Sequence, residues 1–140
     1  MANRGPLLLD THVWVRYGFK TPPLRKAAID AIDAGLDSGN VFVSVISVWE
    51  IALLVRQKKL TLHKSVASWV DEALAVPGLQ LLPFSPQIAI ESVNLPDPMH
   101  KDPSDRILVA SARVERLTLV TADKAVLLFA KTTGLDHLRA

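Results

Sequence analysis

No cysteine occurs in the 140 residues, which excludes disulfide frameworks, thiolate metal sites and cysteine nucleophiles. The absence fits a reducing compartment, and the cytoplasm is the expected location. No stretch approaches the ~20 apolar residues needed to span a bilayer. The apolar patch near the start, preceded by the single early cation Arg4, ends at Asp10 and is too short for a signal-peptide core. A soluble, unprocessed chain with no membrane contact is expected. The six glycines form no phosphate loop, and no G-x-S-x-G elbow is present. Nucleotide cofactors and serine-hydrolase chemistry therefore lack their usual supports.

Acids are missing from two stretches. Residues 11–29 contain Arg16, Lys20, Arg25 and Lys26 with no carboxylate, and residues 51–70 contain Arg56, Lys58, Lys59 and Lys64 with none either. The net charge is only +2, so placement matters more than total. Each basic stretch trails an acid that is a candidate site residue, Asp10 or Glu50. Solvated helix faces explain either stretch alone; the pair together points to a polyanionic partner.

What is present is ordinary globular composition, with 49% hydrophobic and 21% charged residues, well away from the signature of disorder. The length suits one domain over residues 1–140 with its own core. Leu7–Leu9 form a short apolar run expected for a strand buried on both faces, and DTHVWVRYGF after it begins a helix or a turn. Leu24, Ala28, Ile32 and Leu36 recur at helical spacing before a Gly39-Asn40 stop. VFVSV, residues 41–45, is β-branched and aromatic, and passes directly into the helical pattern ISVWEIALLVRQKKL. A helix over 65–76, a strand over 79–84, and a helix after Ser85-Pro86 follow. The proline-rich LPDPMHKDP then leads to the helix SDRILVASARVERL, the strand LTLVT, and the helix DKAVLLFAKTTG with Gly134 as its stop. Strand and helix alternate throughout, which predicts an α/β fold: a parallel sheet with helices on both faces. Ligands of such sheets sit beyond the carboxyl ends of the strands.

Two aspartates lie at that rim. Asp10 ends the first strand and Asp123 follows the last predicted one, while Glu50 and Asp105 are placed in the first turns of the helices that follow VFVSV and the proline-rich loop. Each has a structural explanation. Ser47-x-x-Glu50 has the form of a capping box. Asp102-Pro103-Ser104-Asp105 puts an N-cap, a first-turn proline and an acid at N3 in register. Asp123 suits an N-cap, and Asp10 an Asx-turn. Together they weigh differently, because two like charges ~4 Å apart at an effective dielectric of about 20 repel by on the order of 4 kcal/mol. Crowding of that kind calls for shifted protonation, basic neighbours or a divalent cation. Oxygen-only donors suit Mg²⁺ or Mn²⁺, and such ions support in-line attack of water on a phosphodiester.

The stretches LLLDTHVWV, SVISVWEIALL, LPDPMHKDPSDRILVASA and LTLVTADKAV, spread over nearly the whole chain, resemble PIN-domain ribonucleases, and in particular the VapC toxins of bacterial toxin–antitoxin pairs. The resemblance implies a PIN-like three-layer sandwich and a metal-binding acidic cluster carried over to Asp10, Glu50, Asp105 and Asp123 as the catalytic residues. It implies Mg²⁺ (or Mn²⁺) as cofactor, an RNA substrate, a small antitoxin whose C-terminal segment occupies the acidic groove, and a homodimer. Thr11 and Thr121 match positions where the family carries hydroxyls that orient a carboxylate or a bound water. Asp102 either joins the site or caps its helix, the latter being preferred. Ser104 departs from the aromatic residue common there, which is expected to alter packing or substrate contact. Arg106 reaches a scissile phosphate or neutralises the acids. His12 and His100 flank the cluster as candidate ligands, although a loop histidine is more often a hydrogen-bonding or surface group. Trp14, Trp49 and Trp69 are expected to pack rather than to stack on bases.

The expected function is therefore metal-dependent endoribonuclease, with the basic stretches positioning the RNA backbone. A catalytically inactive PIN-like module that binds RNA or protein is the alternative. A receiver-like or phosphatase-like domain ranks lower, since Asp10-Thr-His-Val lacks the second nearby acid both usually need.

Overall fold

Leu7, Leu8 and Leu9 form β1 at the centre of a sheet, and their alternation sends Leu7 and Leu9 to one face and Leu8 to the other, all three buried. The structure, a computed structural model, describes residues 5–140; Arg4 lies outside them. After β1 (Leu7–Leu9) come α1 (Thr11–Phe19), α2 (Lys26–Asp37), β2 (Val41–Ser44), α3 (Val45–Arg56) and α4 (Val66–Leu74). Then follow β3 (Leu79–Leu82), α5 (Pro86–Val93), α6 (Pro103–Glu115), β4 (Thr118–Thr121), α7 (Lys124–Thr133) and β5 (His137–Arg139). The strands lie in the order β3-β2-β1-β4-β5, and every pairing is parallel.

Both faces of the sheet are covered, giving the expected three layers. On one side Leu7, Leu9, Val41, Val43 and Val120 pack against α1, α2, α3 and α4 through Val13, Ile32, Ile51 and Trp69. On the other Leu8 and Leu119 pack against α5, α6 and α7 through Ile88, Val109 and Phe129. At ~25 cal/mol per Å² of apolar surface, these two buried layers are the main favourable term in folding.

The structure refines the sequence reading at several points, and the strand expected over 79–84 ends at Leu82. DTHVWVRYGF is a helix from Thr11 onward, with Val13, Trp14 and Val15 buried. β2 stops at Ser44, because the Ser44 hydroxyl accepts the Ile46 N–H at 3.1 Å and starts α3 one residue early. The edge strand β5, three residues long, carries no apolar run and escapes sequence inspection. Gly134 stops α7 as predicted, in the left-handed region at φ +76°.

Candidate metal centre

The parallel pairing of Leu9 with Val120 brings the ends of β1 and β4 side by side. Asp10, one residue beyond β1, donates its N–H to the Val120 carbonyl at 3.0 Å. Its side chain is 5% exposed and accepts the Thr121 hydroxyl at 2.7 Å on Oδ2. Although Asp10 occupies the N-cap position of α1, its carboxylate accepts no cap hydrogen bond, so the Asx-turn and capping explanations do not describe it. The same Thr121 oxygen accepts the Asp123 N–H at 3.1 Å, which ties the two aspartates through one buried hydroxyl. Asp123 does cap its helix, Oδ1 accepting the Val126 N–H at 3.0 Å.

Glu50 arrives from α3. With the helix starting at Val45, it stands in the second turn, and Ser47 is no cap: its hydroxyl hydrogen-bonds Thr11 at 2.7 Å, both residues being fully buried. The expected capping box therefore gives way to a bond between α1 and α3, three residues ahead of Glu50. Glu50 Oε1 is buried with no hydrogen-bond partner among the described residues, and Oε2 lies 4.0 Å from His12 Nε2.

α6 supplies the fourth acid. Asp102 is its N-cap, Oδ1 accepting from Ser104 N at 3.0 Å, Ser104 Oγ at 2.9 Å and Asp105 N at 3.2 Å. Ser104, the departure from the family pattern, thus reinforces the cap. Arg106 does not face the acids. Its guanidinium donates to the carbonyls of Ser92 at 2.8 Å, His100 at 3.1 Å and Val93 at 3.3 Å, clamping the preceding loop and the end of α5 onto α6. That clamp holds His100 in place. The Asp102 N–H donates to His100 Nδ1 at 3.3 Å, and Nε2 lies 3.2 Å from Asp105 Oδ2, buried and outside good hydrogen-bond geometry. With Nδ1 engaged by the Asp102 N–H, Nε2 is the ring atom turned to Asp105.

Burial and the neighbouring acids act together on these groups. Asp105 is pushed up to about 8, first by burial and then by Asp10, Asp102, Asp123 and Glu50. Burial also raises Asp10, against the Thr121 hydrogen bond and His12 and together with Glu50 and Asp123. His100, Asp105 and Asp123 each place one ligand-capable atom within 4.8 Å of the others. An unpartnered buried Glu50 oxygen, two carboxyls held above their ordinary range and an oxygen-rich donor set are what a hard divalent cation satisfies, and the residues fit one.

Sequence reasoning set His100 aside as a loop histidine; its side of the loop is decided by Arg106, which no local pattern announces. Trp14 and Trp69 pack as expected, ring centroids 5.3 Å apart, whereas Trp49 is 55% exposed on α3. Among the basic stretches, Arg16 donates to the carbonyls of Pro22 and Pro23, Lys26 pairs with Asp30 and Lys64 with Glu72. Among the described residues no helix is long and apolar enough to cross a membrane.

A parallel five-stranded sheet between two helical layers, with acids gathered beyond the carboxyl ends of its central strands, defines an α/β sandwich with an acidic rim. Residues 7–134 match the PIN domain, and the chain belongs to that family. Ribonuclease VapC22 of Mycobacterium tuberculosis is 30% identical over 118 residues, covering 84% of this chain and 87% of that protein. The fold is also that of VapBC2 from Rickettsia felis, solved bound to a DNA fragment from its promoter, at a TM-score of 0.70 and 19% identity over 95% of this chain and 97% of that one. A toxin–antitoxin complex from Klebsiella pneumoniae aligns at 0.59 and 22% identity, over 94% and 95%.

Proposed function

We propose that the chain is a PIN-domain ribonuclease, the toxin of a toxin–antitoxin pair, in which Asp10, Glu50, Asp105 and Asp123 hold Mg²⁺ or Mn²⁺ for the hydrolysis of RNA phosphodiesters. The observation that carries the reading is the convergence of these acids from β1, α3, α6 and the β4–α7 junction on one rim, where burial first and the neighbouring acids second push Asp105 up to about 8. The likeness to a named ribonuclease over most of the chain supports it. A bound divalent cation would supply charge stabilisation at the phosphoryl oxygens and lower the pKa of a coordinated water.

The chain's own residues do the rest. Thr121 fixes the Asp10 carboxylate and, through the Asp123 N–H, the turn that presents Asp123. Asp102 and Arg106 are supports: one caps α6 beneath Asp105, the other anchors the loop that brings His100 to Asp105. Asp105 would have to be ionised to hold a cation. A small antitoxin as partner is supported by neighbours of the same fold solved as toxin–antitoxin complexes; a homodimer remains part of the same proposal.

The test is cleavage of structured RNA by the purified chain free of any partner. Cutting with Mg²⁺ or Mn²⁺, arrest by chelator, and a loss of roughly 10³-fold in Asp105→Asn are expected, several kcal/mol of transition-state stabilisation being at stake. Cleavage that persists in chelator would falsify the mechanism, and binding without cleavage would return the inactive-module alternative.

A further inference from the structure

Lys124, Leu127, Leu128, Lys131, His137 and Arg139 line an open groove between α7 and the edge strand β5, and no acid lines it. Lys124, Lys131 and Arg139 are exposed and join no ion pair among the described residues. This sets them apart from Lys26 and Lys64, whose charges are matched by Asp30 and Glu72. Lys124, Leu128 and Lys131 stand at i, i+4 and i+7, on one face of α7. At 1.5 Å rise per residue the two lysines are ~10 Å apart along the axis, far enough to meet different phosphates of one strand. Between them Leu128 is 57% exposed, an apolar surface for a ribose or a base.

The position of the groove gives it meaning. β5 pairs in parallel with β4, Thr121 opposite Arg139, so Arg139 stands at the same rim as Asp10 and Asp123. Lys124 directly follows Asp123, whereas Lys131 and His137 lie toward the other end of the sheet. One end of a cationic channel therefore opens beside the acids and the channel leads away from them.

We propose that this groove carries the sugar–phosphate backbone of the RNA on one side of the scissile bond, the phosphates on Lys124, Lys131 and Arg139 and a sugar or base on Leu128. The assignment rests on the ribonuclease reading and names where its substrate lies. It transfers the backbone-positioning role from residues 16–26 and 56–64 to a surface built from α7 and β5.

The test uses the full chain carrying Asp105→Asn, so that RNA stays intact, and a short labelled single-stranded RNA read by fluorescence anisotropy across a salt series. Lys124→Ala/Lys131→Ala/Arg139→Ala is compared with Lys20→Ala/Lys58→Ala/Lys59→Ala, which removes equal charge from three exposed lysines elsewhere. The groove variant should bind roughly thirtyfold more weakly, with a log K against log salt slope shallower by about 2, at ~0.7 per lost phosphate contact. The control should keep most of the affinity, and melting curves should confirm that both variants fold. Equal losses in the two variants overturn the proposal. So does a groove variant that keeps its RNA affinity but no longer binds polyglutamate, which would assign the groove to an acidic protein segment. A chain with Asp105 restored that leaves RNA uncut, together with a groove variant that still loses RNA binding, leaves the groove standing and sinks the nuclease reading. RNA cut by a chain whose groove variant binds as its parent does has the opposite meaning.

Discussion

Asp10 and Asp102 both stand directly before a helix at the same rim of the sheet, yet only one of them caps it. Asp102 gathers three donors on a single oxygen, two backbone N–H groups and the Ser104 hydroxyl, and its charge is answered locally. Asp10 faces the other way, with one hydroxyl donor, burial and two repelling acids, and its carboxyl is raised. A carboxylate whose hydrogen bonds close on its own helix is part of the scaffold. One left short of donors among other acids is available to the proposed cation site.

The largest test of this contrast is Thr121→Val, which removes the hydroxyl linking Asp10 to the Asp123 backbone. Calorimetric titration should show Mn²⁺ affinity lower by about 10–100-fold, the usual effect of removing a partner that orients a ligand, with Thr121→Ser restoring most of it. Unchanged affinity would mean that Asp10 is oriented by something else.

Next in size is a pair of substitutions expected to have opposite signs without added metal. Asp102→Ala should cost about 1 kcal/mol through loss of the N-cap, lowering the melting midpoint by ~3 °C. Asp105→Asn should raise the midpoint near neutral pH, because the amide spares the folded chain the cost of keeping a proton on this carboxyl, a cost set first by burial and then by Asp10, Asp102, Asp123 and Glu50. A midpoint that falls in both variants would erase the distinction between scaffold and site.

The same contrast can be sharpened through pH dependence. Asp105 holds its proton up to about pH 8 in the folded chain but releases it near 3.8 when unfolded. Across that window the native state binds more protons than the unfolded one, so stability without metal should fall as pH rises from about 4 to about 8 and then level off. The fall should be smaller in Asp105→Asn, and saturating Mn²⁺ should reverse it near pH 8, since binding needs the ionised carboxylate. A metal-free midpoint that rises through this window, equally in both proteins, would contradict the raised Asp105.

Much of this was legible in order and pattern. Leu7–Leu9, the 3.6-residue periodicities and the Ser85-Pro86 and Asp102-Pro103 starts mark their elements because each signal acts within one or two turns of chain. The edge strand β5 was not legible, since three residues reading His-Leu-Arg gain their strand character only from pairing with β4. The capping box at Ser47 was misread because Ser44, three residues earlier, takes the N-cap first and frees Ser47 for Thr11. Arg106 lay beyond local reading for a similar reason: its acceptors are carbonyls 6, 13 and 14 residues away.

By itself, then, the sequence determined the alternation of strands and helices, the candidate acids at their junctions and the resemblance that names the family. All of these are properties of neighbours in the chain. Only the tertiary structure decided that β1 lies beside β4, so that residues 111 apart share one hydroxyl, and that Asp102 turns to its helix while Asp10 turns to the cluster. It also decided that α7 and β5 line one groove with cations that join no ion pair among the described residues, its near end beside the acids. The physical reason is that burial and Coulomb interaction depend on distance through space, which folding sets and chain order does not.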